Sequence, residues 1–516
     1  MANFMSMRFH ILFMIAGIFL SNCAPSLHIV ERYPDNKEKT VELMKGKGSS
    51  GRIIKRIEYY SNGRKKSEVD INNGRKDGKY LAYTKNAALS IKGQYEDGNQ
   101  SGKWYWYNIA GKLDSIHTYQ NNRLHGKSTL YSNGIVLIKR EYIEGKLNGK
   151  FIEFYTNGEK KVNGYYINNL PDRKWLWWNE NQTKARQVHF NNGVKHGEIR
   201  IWDEGIIKLT GAFDQDQKTG TWKWYHTKKQ LDSLVTYEKG LLHGTLNVWH
   251  KNGIMAVTGD FVHGKMNGQW KWISEDEIPD SSKTYSNGQL NGLSEFYYNN
   301  GQLKQSAQYH AHLLHGEERF YFPTGQIKSK TNFESGKKTG PYETWLVSGD
   351  PEEFGSYKGN KLHGKVQRWY TTGIMSSITN YKLGILHGVM QIQSLSDELN
   401  KEMFFDQGNE IVRFEYHSNG RFKRVMILDN GQILYERKWN GLGIENTEEK
   451  YIVGTSRDTD FYLSGFLKYE CTFNNDKKHG LEWWFDEDRK PTRVNIFYQG
   501  DRILSYDLTS NDESSE

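Results

Sequence analysis

Apolar and polar residues alternate in short runs along most of this chain. Gln269-Trp270-Lys271-Trp272 and Thr221-Trp222-Lys223-Trp224 change character at every residue, which is the period of a β-strand with one apolar face. The runs are broken by Asn-Gly pairs such as Asn133-Gly134, Asn157-Gly158, Asn252-Gly253 and Asn300-Gly301. Asn-Gly accepts two successive positive φ angles, the requirement of a tight type I′ hairpin turn. The pattern therefore predicts pairs of short antiparallel strands.

The pairs recur with a fixed period. A glycine that closes tripeptides such as Leu-His-Gly and Leu-Asn-Gly stands at Gly78, Gly102, Gly126 and Gly149, then at Gly197, Gly220, Gly244, Gly268, Gly292, Gly316, Gly340, Gly364 and Gly388. The steps are 23 or 24 residues, and Arg173 fills the one gap in register. Seven residues before each of these positions from Gly102 onward lies Tyr or Phe, as at Tyr95, Tyr237, Phe261 and Tyr381. A second aromatic set follows five or six residues after them, including Tyr83, Tyr107, Tyr131, Tyr155 and Trp178. A repeat of this length cannot bury an apolar face alone, so neighbouring copies must stack. The expected fold is all-β: an elongated single-layer antiparallel β-hairpin ribbon, a solenoid without a globular core. Aromatic pairs along it take the place of that core.

Gly259-Asp260-Phe261-Val262-His263-Gly264-Lys265-Met266-Asn267-Gly268-Gln269-Trp270 and Gly93-Gln94-Tyr95-Glu96-Asp97-Gly98-Asn99-Gln100-Ser101-Gly102-Lys103-Trp104 resemble MORN repeats, in the longer bacterial variant of YwqK-type proteins. The resemblance implies a hairpin ribbon used for protein or membrane association. It also brings an antitoxin-like role carried by some bacterial relatives, which an export signal argues against.

The chain start has a different character. Arg8 and His10 precede the apolar run Ile11 to Leu20, the length of a signal-peptide core and too short for a bilayer span. Leu20-Ser21-Asn22-Cys23 resembles a bacterial lipobox, which implies that Cys23 receives a diacylglycerol anchor. The expected division is a lipoprotein signal peptide over 1–22, a charged tether over 23–50, regular repeats over 51–395, degenerate capping repeats over 396–506 and an acidic disordered tail over 507–516. The place this implies is the bacterial cell envelope, on the periplasmic side of the outer membrane. Apart from Cys23 the chain holds only Cys471, so no disulfide framework exists.

Composition excludes simple disorder and most chemistry. Aromatic residues make up 14% and charged residues 25% of the 516, with a net charge of +9. Disordered chains are aromatic-poor. His125, His196, His243, His315, His363, His387 and His479 each precede a repeat glycine, and read as repeated turn residues rather than metal ligands. Equivalent positions in adjacent hairpins are about 10 Å apart, whereas a metal holds its ligands at about 2 Å. Gly126-Lys127-Ser128 echoes a phosphate loop but Asn121 occupies the position of its first glycine. No catalytic, metal or cofactor residues emerge, and the chain reads as a non-enzymatic scaffold for protein-protein association. The expected partners are an envelope protein, the membrane through Cys23, and further copies of the chain; nucleic acid is not expected. The second reading is a lipid or cell-wall glycan binder. Trp104, Trp222 and Trp270 are the candidate binding surface; Gly102, Gly126, Gly244, Gly268, Gly316, Gly364 and Gly388 are structural repeat positions.

Overall fold

The computed structural model describes residues 25–46, 51–442, 445–451, 455–488 and 491–507. Every regular element among them is a β-strand. The chain divides into two compact units, residues 1–241 and 242–516.

In the first unit each strand pairs antiparallel with the next along the chain, from Ser26–Arg32 onward to Leu231–Glu238. Asn99–Tyr107 and Leu113–Gln120 show why the sequence folds this way. Gly102 lies directly opposite Tyr119, and the same glycine-to-aromatic pairing recurs as Gly126 with Tyr142 and Gly78 with Tyr95. Gly102 has φ +66°, and the ladder bulges beside it, where Lys92 and Gln94 face Tyr105 and Ser101. A side chain in that left-handed region costs about 1 kcal/mol or more, which explains glycine at thirteen of these positions. Arg173, the exception, adopts φ +62° and stacks its guanidinium 4.0 Å from the centre of the Tyr165 ring.

Two kinds of turn alternate. Asp97-Gly98 has both φ angles positive and forms a two-residue type I′ turn between Glu96 and Asn99. Asn133-Gly134 does the same at the opposite edge, where it replaces a longer loop. The sequence reading of Asn157-Gly158, Asn252-Gly253 and Asn300-Gly301 as I′ turns needs correction, because only the glycine of each pair has positive φ. These belong to longer loops in which the glycine N–H returns to the carbonyl three residues back, as Gly158 does to Tyr155 at 2.9 Å. The asparagine stays right-handed and its side-chain oxygen accepts from the backbone two residues on, as Asn157 does from Glu159.

Both rims tie one repeat to the next. At the I′ rim, Gly98 N–H donates to the Lys76 carbonyl at 2.8 Å and Gly145 to Leu124 at 2.7 Å. At the other rim, Tyr60 hydroxyl donates to the Tyr83 carbonyl and Tyr155 to that of Trp178, at 2.8 and 2.7 Å. The 23-residue reach of these tyrosines ends one residue short of their equivalents in the next repeat, Thr84 and Asn179.

Residues 26–45, expected as a tether, are strands Ser26–Arg32 and Glu38–Lys45 of the sheet. Tyr33 N–H bonds the Lys37 carbonyl at 2.8 Å, the same closure that Tyr60 makes with Arg64. Val41 is fully buried, and Glu42 pairs with Arg56 at 2.8 Å. Charge density hid a repeat whose loop uses Asn36 in place of glycine.

The second unit continues the same pattern through Glu445–Tyr451, then adds a separate five-stranded antiparallel sheet from Thr455–Phe461 to Asp501–Asp507. Here a packed core does form. Phe404, Val412, Val425 and Ile427 of one sheet meet Leu481, Trp483, Val494 and Ile496 of the other. The expectation of a coreless ribbon thus holds for the regular repeats and is amended at residues 396–506, where the faded period marks a two-layer sandwich. Val425, Met426, Ile427 and Leu428 are buried in succession, as in a strand covered on both faces. Arg437 crosses the layers to Glu470 at 3.0 Å, and Arg457 reaches the same carboxylate at 2.8 Å. Cys23 and the acidic residues after Asp507 lie outside the described residues.

Candidate binding surface

Counting from each repeat glycine, the residues two and four positions later share one sheet face, which is therefore the aromatic face. Trp104, Trp175 and Trp222 in the first unit, and Trp270 in the second, occupy the first of these positions. All four are buried; Trp104, the most enclosed, is 2% exposed. The indole of each lies flat on a glycine of the preceding strand. A Cβ on Gly93 would stand 2.2 Å from the Trp104 ring, and one on Gly259 2.1 Å from Trp270. Each indole N–H donates at 3.2 Å to the carbonyl just after that glycine, as Trp104 does to Gln94 and Trp222 to Ala212. Aromatic edges close the sides: Tyr95 meets Trp104 at 5.1 Å, Phe261 meets Trp270 at 5.0 Å and Tyr237 meets Trp222 at 5.8 Å. Burial raises the pKa of the Tyr95 hydroxyl.

Trp104, Trp222 and Trp270 are therefore not the binding surface that the sequence reading made them. Their N–H groups are satisfied, and their faces are spent on the sheet. The tryptophan two residues further on is different. Trp106, Trp177 and Trp224 in the first unit, and Trp272 in the second, remain partly exposed. Each leans on its buried partner with ring centres about 6 Å apart (6.0, 5.8, 6.0 and 6.0 Å). Cations flank three of them: Arg186 lies 5.2 Å from Trp177, Lys218 5.9 Å from Trp224 and Lys283 5.0 Å from Trp272. Trp106 has His117 at 4.8 Å, whose pKa is lowered by burial and by Arg140. What distinguishes the two tryptophans is the residue across the ladder: the inner one always faces a glycine.

The remaining sequence candidates are structural. Gly244 pairs with Phe261, Gly268 with Tyr285, Gly316 with Phe333, Gly364 with Tyr381 and Gly388 with Phe405. The histidines before them stitch repeats together. His315, His363 and His479 each accept, at Nδ1, the backbone N–H that opens the next I′ turn, from Ser335, Leu383 and Gln499 at 3.3 to 3.4 Å. Asp172, which precedes Arg173, does the same for Asn192 at 3.1 Å. Among the described residues no three His, Cys, Asp or Glu side chains are grouped to hold a metal ion.

Four stretches, 218–239, 290–311, 314–335 and 362–383, are the ones that a known repeat model fits. Each begins two residues before a repeat glycine and ends two residues beyond the aromatic that faces that glycine. They match the MORN repeat variant. In MORN terms, one unit is the glycine-bearing strand plus the strand that returns against it. No curated protein matches the chain. Among solved structures, the crystal structure of TcdB2-TccC3-Cdc42 is similar over 92% of this chain and 32% of that one, at 11% identity and a TM-score of 0.13. The Photorhabdus luminescens Tc holotoxin pore is similar over 89% of this chain and 30% of that one, at 10% identity and a TM-score of 0.13. The chain thus spans about a third of the length of the solved chains it matches.

Proposed function

We propose that this chain is a non-enzymatic scaffold that holds a protein partner in the bacterial cell envelope, with Cys23 as its lipid anchor. The observation that carries the reading is the series of partly exposed tryptophans in the first unit, Trp106, Trp177 and Trp224, each backed by a buried ring. Tryptophan is among the side chains most enriched where protein interfaces concentrate their binding energy. It offers a large contact area and has little freedom left to lose. The MORN repeat matches support the same class of role.

The test is crosslinked affinity purification from solubilised envelopes, comparing the tagged wild type with a variant carrying Ala at 106, 177 and 224. One dominant protein that co-elutes with the wild type and is depleted with the variant supports the scaffold. Recovery of the same protein with both moves the interface elsewhere, and recovery of no protein with either overturns the reading.

A further inference from the structure

The face opposite the tryptophans carries a file of lysines that the fold does not require. In five successive repeats of the first unit the residue after the repeat glycine, or after Arg173, is Lys79, Lys103, Lys127, Lys150 and Lys174, and all five are exposed. Among the described residues none of these ammonium groups has an ion-pair or ring partner. The next repeats put Glu198 and Thr221 there, and the second unit puts Thr245, Gln269, Leu293, Glu317, Pro341, Lys365 and Val389. The position therefore tolerates almost anything, and 70 Lys and Arg among 516 residues do not place one there five times running.

Geometry gives the file a pitch. The five lysines stand on alternate strands, so at about 4.8 Å per strand they recur every ~10 Å across the sheet. Four residues further along the same strands, on the same face, run the partly exposed rings of Tyr83, Tyr107, Tyr131, Phe154 and Trp178. Tyr83 confirms the facing: its hydroxyl bonds Glu68, whose ladder partner Leu81 lies between Lys79 and Tyr83. The carboxylates on this face are already engaged. Glu68 pairs with Lys65 and Asp70 with Lys55, while Glu141 accepts the backbone N–H of Lys150. Lys92 and Lys139 add two more cations, over Tyr105 and Phe154.

We infer that this face binds a linear acidic polysaccharide laid across the strands, one carboxylate to each lysine, with sugar rings against the aromatic file. A chain with one uronate per extended disaccharide repeats its charge on the ~10 Å scale of the hairpins. Nucleic acid fits less well, since each strand brings a phosphate about every 3.4 Å along the helix axis. A bilayer is a plane of charge, to which a single file presents only one line. The file lies on the face away from the tryptophans, so its failure would leave the scaffold proposal standing, and the reverse holds too.

The experiment is calorimetric titration of the full-length protein with a hyaluronan oligosaccharide of about five disaccharides, enough to span five lysines at ~10 Å each. Binding by the wild type is expected to weaken with added salt, and a neutral maltodextrin of similar length is expected not to bind. Changing all five file lysines to Gln should lower the affinity at least tenfold. A control with Gln at Lys66, Lys85, Lys112, Lys160 and Lys228, exposed lysines outside the file, makes the same change in net charge and should bind nearly as the wild type does. Equal losses in the two variants would show general charge attraction and overturn the proposal. So would the absence of hyaluronan binding, including the case in which phosphatidylglycerol vesicles bind through the file instead.

Discussion

Glycine and tryptophan are matched across the ladder one atom against one ring, and that match sets the tightest constraint in the molecule. Gly259 leaves no room for a methyl group, because its Cβ would sit 2.1 Å from the Trp270 ring. G259A should therefore destabilise its neighbourhood by about 1–3 kcal/mol, the usual cost of overpacking. Adding W270L should recover part of that loss, because the ring is what the methyl group meets. Hydrogen exchange at Thr258 and Lys271, which face each other across this ladder, checks both variants; equal exchange in G259A and wild type would show that the indole moves aside freely. The inner and outer tryptophans should also separate by function. W222A removes a buried ring and should cost about 3–5 kcal/mol, whereas W224A should leave stability nearly unchanged and weaken partner capture.

At the scale of elements, the sandwich in the second unit holds a buried histidine and a buried ion pair. Burial lowers the pKa of His479, and its Nδ1 serves as an acceptor for Gln499 N–H. A histidine with a folded pKa below its unfolded value adds stability that is fully present above about pH 6.5 and is lost as pH falls below it, because the unfolded state then binds the proton more readily. Urea midpoints followed by Trp483 fluorescence should fall between pH 6.5 and 5 in the wild type and fall less in H479N. The Arg437 to Glu470 pair makes a second prediction. R437M leaves the deeply buried Glu470 with Arg457 alone and should cost about 3 kcal/mol, while R437M/E470L should regain most of it, since an apolar pair needs no desolvation. A double variant no better than R437M would assign the pair a role beyond packing.

At the scale of the whole molecule, contacts are almost entirely between neighbouring repeats, so stability is a chain of local terms rather than one core. Urea unfolding monitored at different tryptophans should not superimpose, and the sandwich should unfold as its own step. Val389, on the last strand of the regular repeat, Ile385–Gln393, packs against the core of the sandwich. Truncation after Leu395 should expose Val389 and leave Ile385–Gln393 an unpaired edge, giving concentration-dependent self-association measurable by light scattering. A monodisperse truncated chain would mean that the sandwich has no capping role.

The repeat, its strands and its register were legible in the residues because the constraints are local and are repeated many times. A glycine at positive φ opposite an aromatic ring, or a period of two interrupted by turns, needs no distant contact to specify it. Three features depended on tertiary structure. Whether a tryptophan is core or surface turned on the residue across the ladder, which the sequence separates from it by eleven positions at Gly93 and Trp104. The first hairpin, around Tyr33, had lost its glycine and showed itself only through its hydrogen bonds. Residues 396–506 look like worn repeats along the chain, and only the meeting of two sheets makes their consecutive apolar residues a core. Burial on both faces comes from long-range packing, and a pattern read along one strand does not contain it.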